Sequence, residues 1–427
     1  MKKIYNPKQE EWAEILRRPT KTIEDIEATV SEVFNEVKQK GDDAVQKYTS
    51  LFDGVSLESN LVSSEEIKLA KESVSEELKA AIALAKSNIT TFHKAQKTDR
   101  IRVETTSGVS CWQEKRPIEK IGLYIPGGTA PLFSTILMLA VPAEIAGCKE
   151  VVLCTPPDKE GKVNPAILYT AALCGVDKIY KVGGIQAIAA MTFGTESISK
   201  VYKIFGPGNQ FVTVAKQLAT RHNVAIDMPA GPSELLVVAD ETAKAAYVAS
   251  DLLSQAEHGV DSQVVLVSTA KDFLEEVTEE IESQIQLLPR MEIAQKAIEN
   301  SRFVYFENRQ EALALINEYG PEHFIVVTAD EDFYVNGITN AGSVFIGDYT
   351  PESAGDYASG TNHTLPTNGY AKQYSGVNLD SFMKSMTFQK ISKEGIQKIG
   401  PSIELMAEAE GLAAHKNAVS LRLKDLK

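Results

Sequence analysis

The 427-residue sequence has no long, uninterrupted apolar segment. Its first residues, Met1 to Trp12, lack the apolar core that a secretory signal peptide needs. The most apolar run, residues 130–146, is interrupted by Pro131 and Pro142 and is too short to span a bilayer. We therefore expect neither export nor insertion into a membrane.

Cysteine and positive charge are also scarce. The four cysteines, at 111, 148, 154 and 174, include no close pair with metal-ligand spacing, and three lie in apolar surroundings typical of buried, reduced thiols. A cytoplasmic protein without disulfides is the simplest interpretation. The 58 acidic residues outnumber the 44 basic ones and give a net charge of −14. This balance argues against binding nucleic acid or an anionic membrane through a general electrostatic field.

The length of the chain and its periodicity predict several domains. Residues 1–112 are heavily charged, and apolar residues return every three or four positions, so we predict a helical arm that packs on the first of two lobes that follow it. From 113 to 377 short apolar strands alternate with helices, which predicts βαβ units and mainly parallel sheets. We expect two similar, incomplete Rossmann-like α/β lobes, 113–232 and 233–377, followed by a helical tail, 378–427.

Glycine-rich turns follow the strands of the first lobe, where open α/β sheets bind ligands. They are Pro126-Gly-Gly128, Gly183-Gly184 and Gly206-Pro-Gly-Asn209. Glycine lets the backbone approach a ligand closely, although the same sequences also suit ordinary tight turns. The third turn resembles a dinucleotide fingerprint, but Phe211 occupies the place of its third glycine, so the signal is weak.

Two pairs of polar residues in the second lobe suit metal binding or acid/base chemistry. A predicted helix carries Gln255 and His258, which are neighbours on its surface and precede a glycine that stops it. An amide oxygen beside an imidazole can bind a metal or a polar ligand, or can simply be a solvated helix end. Glu322 and His323 precede a strand and can divide acid/base roles, or can form a surface turn.

Two further segments carry candidate ligands. The segment from Gly347 to His363 reads as a long polar loop, and such loops in compact domains are usually functional or disordered. Its Asp356 is a hard oxygen donor for a divalent cation, or a loop cap. In the tail, Glu410 and His415 are five residues apart, so they do not share one face of a continuous helix.

Taken together, these segments resemble the histidinol dehydrogenase family. Each motif alone is weak evidence, but eight of them occur in the same order as in the family, which makes coincidence unlikely. They are Gly122-Leu-Tyr124-Ile-Pro-Gly-Gly128, Gly183-Gly-Ile-Gln186-Ala-Ile-Ala-Ala190, Gly206-Pro-Gly-Asn209, Asp227-Met-Pro-Ala-Gly-Pro-Ser233-Glu234, Ser254-Gln255-Ala-Glu-His258-Gly259, Pro321-Glu322-His323, Ser353-Ala-Gly-Asp356-Tyr-Ala-Ser-Gly-Thr-Asn-His363 and Glu410-Gly-Leu-Ala-Ala-His415.

The resemblance implies one zinc ion per site, which manganese or cobalt can replace, and NAD as the cofactor. It assigns the metal to Gln255, His258, Asp356 and His415, and these four residues also contact the substrate. Further substrate contacts match Ser233, Glu322, His323 and Glu410, and the NAD contacts match Tyr124, Gln186 and Asn209. A site with one amide, one carboxylate and two imidazoles suits a metal that stays open to substrate.

The implied reaction oxidises histidinol through an aldehyde to histidine in two NAD-dependent steps, with Glu322 and His323 as the catalytic residues. The family also forms an intertwined homodimer, so the tail is expected to complete the partner's site. Two alternatives are a dehydrogenase of another primary alcohol on this scaffold and a two-lobed metal or solute-binding protein. A thiohemiacetal route through Cys111 or Cys148 is disfavoured, because neither thiol has an evident activating partner.

Overall fold

A computed structural model describes residues 1–19, 24–127, 131–229 and 231–426. Gly128 of the first glycine-rich turn and Ala230 of the connection between the predicted lobes lie outside the described residues. None of the described helices combines the length and apolar character that crossing a membrane requires.

The described strands form three sheets. In chain order they are β1 (Lys2–Tyr5), β2 (Ile101–Thr106), β3 (Val109–Pro117), β4 (Lys120–Tyr124), β5 (Glu150–Thr155), β6 (Lys178–Lys181), β7 (Lys203–Phe205), β8 (Ala225–Ile226), β9 (Glu234–Ala239), β10 (Gln263–Ser268), β11 (Arg302–Tyr305), β12 (His323–Val327), β13 (Ser343–Ile346) and β14 (Met383–Ile391).

The described helices lie mainly between these strands. They are α1 (Trp12–Ile15), α2 (Glu24–Lys40), α3 (Asp42–Phe52), α4 (Ser64–Ser73), α5 (Glu76–Ala95), α6 (Phe133–Ala146), α7 (Pro165–Leu173), α8 (Gly184–Phe193), α9 (Gln210–Thr220), α10 (Ala245–Ala256), α11 (Phe273–Ile285), α12 (Met291–Glu299), α13 (Arg309–Tyr319), α14 (Glu331–Gly337), α15 (Glu352–Tyr357), α16 (Lys393–Ala409) and α17 (Ala413–Lys424).

The first lobe is a parallel sheet in the order β6-β5-β4-β7-β8. Side chains alternate along its strands, so that Leu123 faces a core shared with α5, α6 and α7, while Val152 and Cys154 face a second core with α2, α8 and α9. Because both faces are covered, the middle residues of the strands are apolar and mostly buried. Helices α2 to α5 of the N-terminal region thus pack on this lobe, whereas α1 packs on the second.

The second lobe is a parallel sheet in the order β1-β11-β10-β9-β12-β13. Its cores again lie on both faces: Leu235 and Val237 face α10, α11 and α12, whereas Leu236 and Val238 face α13 and Trp12. Two α/β lobes with mainly parallel sheets were predicted, and this architecture is confirmed.

Four strands lie in segments where the sequence predicted helices. β1 extends the second sheet by pairing with β11, far along the chain, and β14 pairs antiparallel with β3 along its whole length, with β2 on the other side. The prediction of helix is wrong at these strands. β1 and β14 have partners that are distant in sequence, whereas β2 and β3 form a hairpin. Most side chains of the four strands are partly or fully exposed, so no clear periodicity marks them.

Candidate active site

Polar residues gather at the edge of the second sheet where its strands begin. Ser233 and Glu322 immediately precede β9 and β12, which are parallel neighbours, with His323 opposite Leu235. Helix α10 runs back from the far end of β9 and brings Gln255 to this edge in its last turn. Helix α15 then adds Asp356. The chain therefore assembles this site at the amino ends of the strands, whereas sequence rules point to their carboxyl ends.

The backbone of Glu234 holds both predicted catalytic residues. Its N–H donates a hydrogen bond to Oε2 of Glu322 at 2.8 Å, and its carbonyl oxygen lies 3.2 Å from Nδ1 of His323. The side chain of Glu234 is in turn bound by two nitrogens of the Arg18 guanidinium. Glu322 and His323 are therefore buried and fixed by one residue at the start of β9.

The position of His323 leaves one ring nitrogen available. Since Nδ1 faces a carbonyl oxygen, it must carry the proton there, and Nε2 is then the basic nitrogen. Nε2 is buried, has no hydrogen-bond partner among the described residues and lies 3.6 Å from Oδ1 of Asp356. Burial lowers the pKa of His323, but the carboxylates of Glu352 and Glu322 outweigh burial and raise it well above its ordinary value.

Glu352 belongs to this site but was not predicted. It is fully buried, and its Oε1 lies 3.7 Å from Nδ1 of His323. Burial raises the pKa of this carboxyl well above its ordinary value. The segment was read as a loop, whereas the structure places α15 there. Glu352 and Asp356 are four residues apart on that helix and therefore lie on the same face. Predicting a helix for this segment would have identified Glu352 as a neighbour of Asp356.

Three of the four predicted metal ligands lie near one another. Gln255 is fully buried and its Oε1 has no hydrogen-bond donor among the described residues. An unpaired buried amide oxygen is costly, so it fits a position that faces a cation. His258 lies two residues beyond the end of α10, not on the helix as predicted, and is exposed. It is close enough to Asp356, Glu322 and His323 to interact with their charges.

The described acidic and imidazole groups suggest a second combination of metal ligands. One ligand atom each from His323, Glu352 and Asp356 lies within 4.8 Å of the others. Asp356 is common to both combinations. In the combination that the sequence predicts, with Gln255, the ring of His323 is not a ligand and lies beside the carboxyl groups of Glu322 and Glu352.

The tail residues lie apart from this cluster. Glu410 and His415 are exposed, and α17, which carries His415, packs mainly on α16. Within one chain the structure therefore does not bring the predicted fourth metal ligand to the other three. By contrast His363, for which no role was predicted, links the lobes: Nδ1 lies 2.8 Å from the carbonyl oxygen of Asp356 and Nε2 lies 3.1 Å from Oγ1 of Thr135.

The predicted cofactor residues surround a cavity of about 1040 Å³ at the carboxyl edge of the first sheet. Tyr124 and Asn209 line it, and Gln186 is fully buried beside Gly184. The hydroxyl of Tyr124 accepts a hydrogen bond from the backbone N–H of Gly184 at 3.0 Å. Burial raises the pKa of Tyr124 to about 12, so this hydroxyl stays neutral. None of the residues of the second-lobe cluster lines this cavity.

A close backbone approach and a buried ion pair shape the third turn. Gly206 has φ of +129°, and a Cβ there would lie 2.1 Å from the carbonyl oxygen of Tyr124, so only glycine fits. Nζ of Lys216 lies 2.7 Å from the carbonyl oxygen of Gly206 and 2.5 Å from Oδ1 of Asp227. Asp227 also accepts a hydrogen bond from the N–H of Gly206 at 2.8 Å.

Comparison with known proteins gives a consistent result. The family model described as histidinol dehydrogenase matches residues 16–423. The chain is 59% identical to histidinol dehydrogenase of Bacteroides thetaiotaomicron, covering 100% of both chains. It is 52% identical to that of Escherichia coli K12, covering 98% of this chain and 96% of the relative. The crystal structure of histidinol dehydrogenase from Elizabethkingia anophelis superposes with a TM-score of 0.97 at 57% identity, covering 100% and 98% of the two chains.

Proposed function

Since the chain belongs to the histidinol dehydrogenase family and is an NAD-dependent oxidoreductase of histidine biosynthesis, we propose that it oxidises L-histidinol to L-histidine. The reaction passes through L-histidinaldehyde, reduces two NAD and uses one zinc ion per site. The observation that carries this proposal is the geometry of the catalytic pair. Glu322 and His323 are held by the backbone of Glu234. They lie beside Asp356 and the unpaired oxygen of Gln255.

We propose that Gln255, His258, Asp356 and His415 hold the zinc ion, which would grip and orient the substrate as a Lewis acid. NAD, bound against Tyr124, Gln186 and Asn209, would take one hydride in each step. Ser233 and Glu410 would add substrate contacts. Four protein ligands would already complete a tetrahedral zinc shell, so substrate binding would require the zinc ion to take further ligands, and zinc can expand its coordination number in this way.

His323 acts as the base in both oxidations in this proposal. In the first step Nε2 accepts the hydroxyl proton of the alcohol while a hydride leaves the carbon, and an aldehyde forms. The imidazolium that results is stabilised by the carboxylates of Glu322 and Glu352, 3.6 and 3.7 Å from its Nδ1. Since this cluster is largely buried, the aldehyde is kept from free water between the steps.

Glu322 acts between the two oxidations. It accepts a proton from the water molecule that adds to the aldehyde, while the protonated His323 returns its proton to the aldehyde oxygen, which gives a neutral hydrate. His323 then accepts a hydroxyl proton of the hydrate as the second hydride leaves, and the carboxylic acid forms. Each of the two oxidations thus transfers one proton to His323 and one hydride to NAD, and the hydration transfers one proton to Glu322.

The variant Glu322→Gln tests this division of roles. The amide oxygen of Gln can still accept the hydrogen bond from Glu234, so the fold should be kept. We expect formation of one NADH per histidinol and release of aldehyde, with at least ~100-fold loss of the second oxidation. The first oxidation should slow much less, because there Glu322 only helps to stabilise the imidazolium of His323. Glu311→Gln, an exposed carboxylate on α13, is the matched control. Equal loss of both oxidations would contradict the proposed role of Glu322, and no NADH from the wild type would point to another alcohol.

The tail supports a proposal of a homodimer with shared sites. Leu405, Met406 and Leu421 on α16 and α17 are 68%, 66% and 55% exposed, and large exposed apolar groups of this kind mark interfaces. We propose that the tail docks on a second copy and that His415 and Glu410 complete the partner's site.

Subunit mixing tests the shared site. His323→Asn and His415→Asn should each be inactive, but after subunit exchange their mixture should regain about a quarter of wild-type activity, because half the dimers are mixed and each has one intact site. No recovery in a demonstrated mixed dimer would place both residues in one subunit. We also propose a cytoplasmic location, consistent with four free cysteines, and the division 1–112, 113–232, 233–377 and 378–427.

A further inference from the structure

A carboxylate of the N-terminal region lines the cavity of the first lobe. Helix α3 ends at Phe52, Asp53 caps it, and Gly54, with φ of +73°, turns the chain away. Asp53 thereby enters the same cavity as Tyr124 and Asn209, although α3 packs against the outside of the sheet, on α8. None of the sequence motifs included this residue.

The carboxylate oxygens of Asp53 have few partners. Oδ2 lies 3.4 Å from Nε2 of Gln186, a long contact, and Oδ1 lies against Gly183, where a Cβ would be 3.3 Å away. Among the described residues, no cationic side chain forms an ion pair with Asp53. Burial raises the pKa of Asp53 to about 6, and no neighbouring charge offsets this. A partly buried carboxylate without a cation is unfavourable for stability, so its place suggests a ligand.

The second observation is on the neighbouring side chain. Gln186 is fully buried, and its Oε1 has no hydrogen-bond partner among the described residues. Gln186 thus lies behind Asp53 and donates to it only the long hydrogen bond from Nε2 to Oδ2, so that Asp53 faces the cavity with acceptor capacity left over. A vicinal diol supplies two O–H donors with the spacing of a carboxylate, which is how acidic residues recognise the ribose of dinucleotides.

The position in the cavity indicates which ribose is bound. This inference rests on the proposed function, in which the reacting end of NAD must reach His323 in the second lobe. Because the cavity lining includes no residue of the second lobe, the cavity holds the other half of the cofactor, the adenosine half. Its lining of Pro126, Pro156 and Ile167 suits an adenine ring.

We propose that Asp53 binds the 2′- and 3′-hydroxyl groups of the adenosine ribose of NAD and thereby selects NAD over NADP. In NADP the 2′-hydroxyl is replaced by a phosphate, which removes one donor and places about two negative charges beside the carboxylate. Selectivity thus combines a favourable contact with NAD and repulsion of NADP.

The variant Asp53→Asn tests the proposal, with Asp43→Asn, an exposed residue of the first turn of α3 outside the cavity, as the matched control. We expect the KM for NAD to rise about tenfold, since charge-assisted hydrogen bonds are lost. The ratio of kcat/KM for NADP to that for NAD should also rise at least about tenfold. The KM for histidinol and the values of the control should not change. Asp53→Ala, with no acceptor at all, should show the same trends.

Binding of NAD and NADP to the folded enzyme without histidinol, measured by calorimetry, gives a readout independent of turnover. Weaker NAD binding with relatively improved NADP binding supports the proposal. An unchanged ratio of NAD to NADP affinity in both variants would overturn it. A contact of Asp53 with the nicotinamide ribose would give that result, because this ribose is the same in the two cofactors. If the wild type binds NAD but forms no NADH from histidinol, the proposed function fails while the binding test of Asp53 still stands.

Discussion

Removing the ammonium group of Lys216 should destabilise both the fold and the turn 206–209, which carries the proposed NAD contact Asn209. Lys216 and Asp227 are both almost completely buried, at 1% and 0% exposure of their side chains. The variant Lys216→Met leaves the carboxylate without its cation, which typically costs 3–5 kcal/mol. Lys203 attracts Asp227 as well, so we expect the lower part of this range. Loss of the hydrogen bond to the Gly206 carbonyl adds about 1 kcal/mol, for a total of about 4 kcal/mol.

Urea unfolding and NAD kinetics measure the two effects. The unfolding midpoint of Lys216→Met should fall, and the KM for NAD should rise more than the KM for histidinol, because the turn 206–209 loses its anchor. The double variant Lys216→Met/Asp227→Asn should cost less than the sum of the single variants, since it removes both charges. Strictly additive costs, or a loss below about 1 kcal/mol for Lys216→Met, would refute the view that this pair depends on mutual compensation.

Three further predictions follow from buried groups. Cys148→Ala should keep both half-reactions, because burial raises the pKa of this thiol to about 12 and leaves it protonated. Selective loss of aldehyde oxidation with the fold intact would contradict this prediction. Gly206→Ala should bind NAD at least ~10-fold more weakly, since its Cβ would clash with the Tyr124 carbonyl. Gly147→Ala, at φ of +86° with nothing within 4 Å of the added Cβ and outside the cavity lining, is the control for a positive φ alone. The pKa of Asp53 is about 6 in the folded chain and about 4 in the unfolded chain. Ionised Asp53 therefore lowers the free energy of unfolding above pH 6, and this effect disappears below pH 4, where the carboxyl group is protonated in both states. Asp53→Asn should therefore be more stable than wild type by about 1–2 kcal/mol at pH 8 and equal at pH 4, measured by chemical unfolding; equal stability at both pH values would argue against the raised pKa.

The parallel sheets could be predicted from sequence because the core strands are short apolar runs, with polar residues mainly at their ends, that alternate with helices. Strands β4 to β13 all lie within the range 113–377 for which this alternation was predicted. β14 could not be predicted in the same way. Its stability comes from pairing with β3, more than 250 residues earlier, as in the pair Met383 and Pro117.

The candidate site was predictable where one short segment carries two functional groups. Gln255 and Glu322 were proposed from local patterns, and the structure places them 3.5 Å apart. Glu352 was missed because a short helix with glycine resembles a loop in sequence. In the proposed dimer the place of His415 depends on a second copy of the chain, and the sequence indicates such a contact only through the apolar residues of the tail.

The most direct measurement is the number of NADH molecules formed per histidinol consumed, with and without a chelator. We predict two NADH and one histidine per histidinol, lost on chelation and restored by zinc. One NADH with free aldehyde would contradict the second oxidation assigned to Glu322 and His323. Two NADH from an enzyme shown to be free of metal would contradict the role given to Gln255, His258, Asp356 and His415.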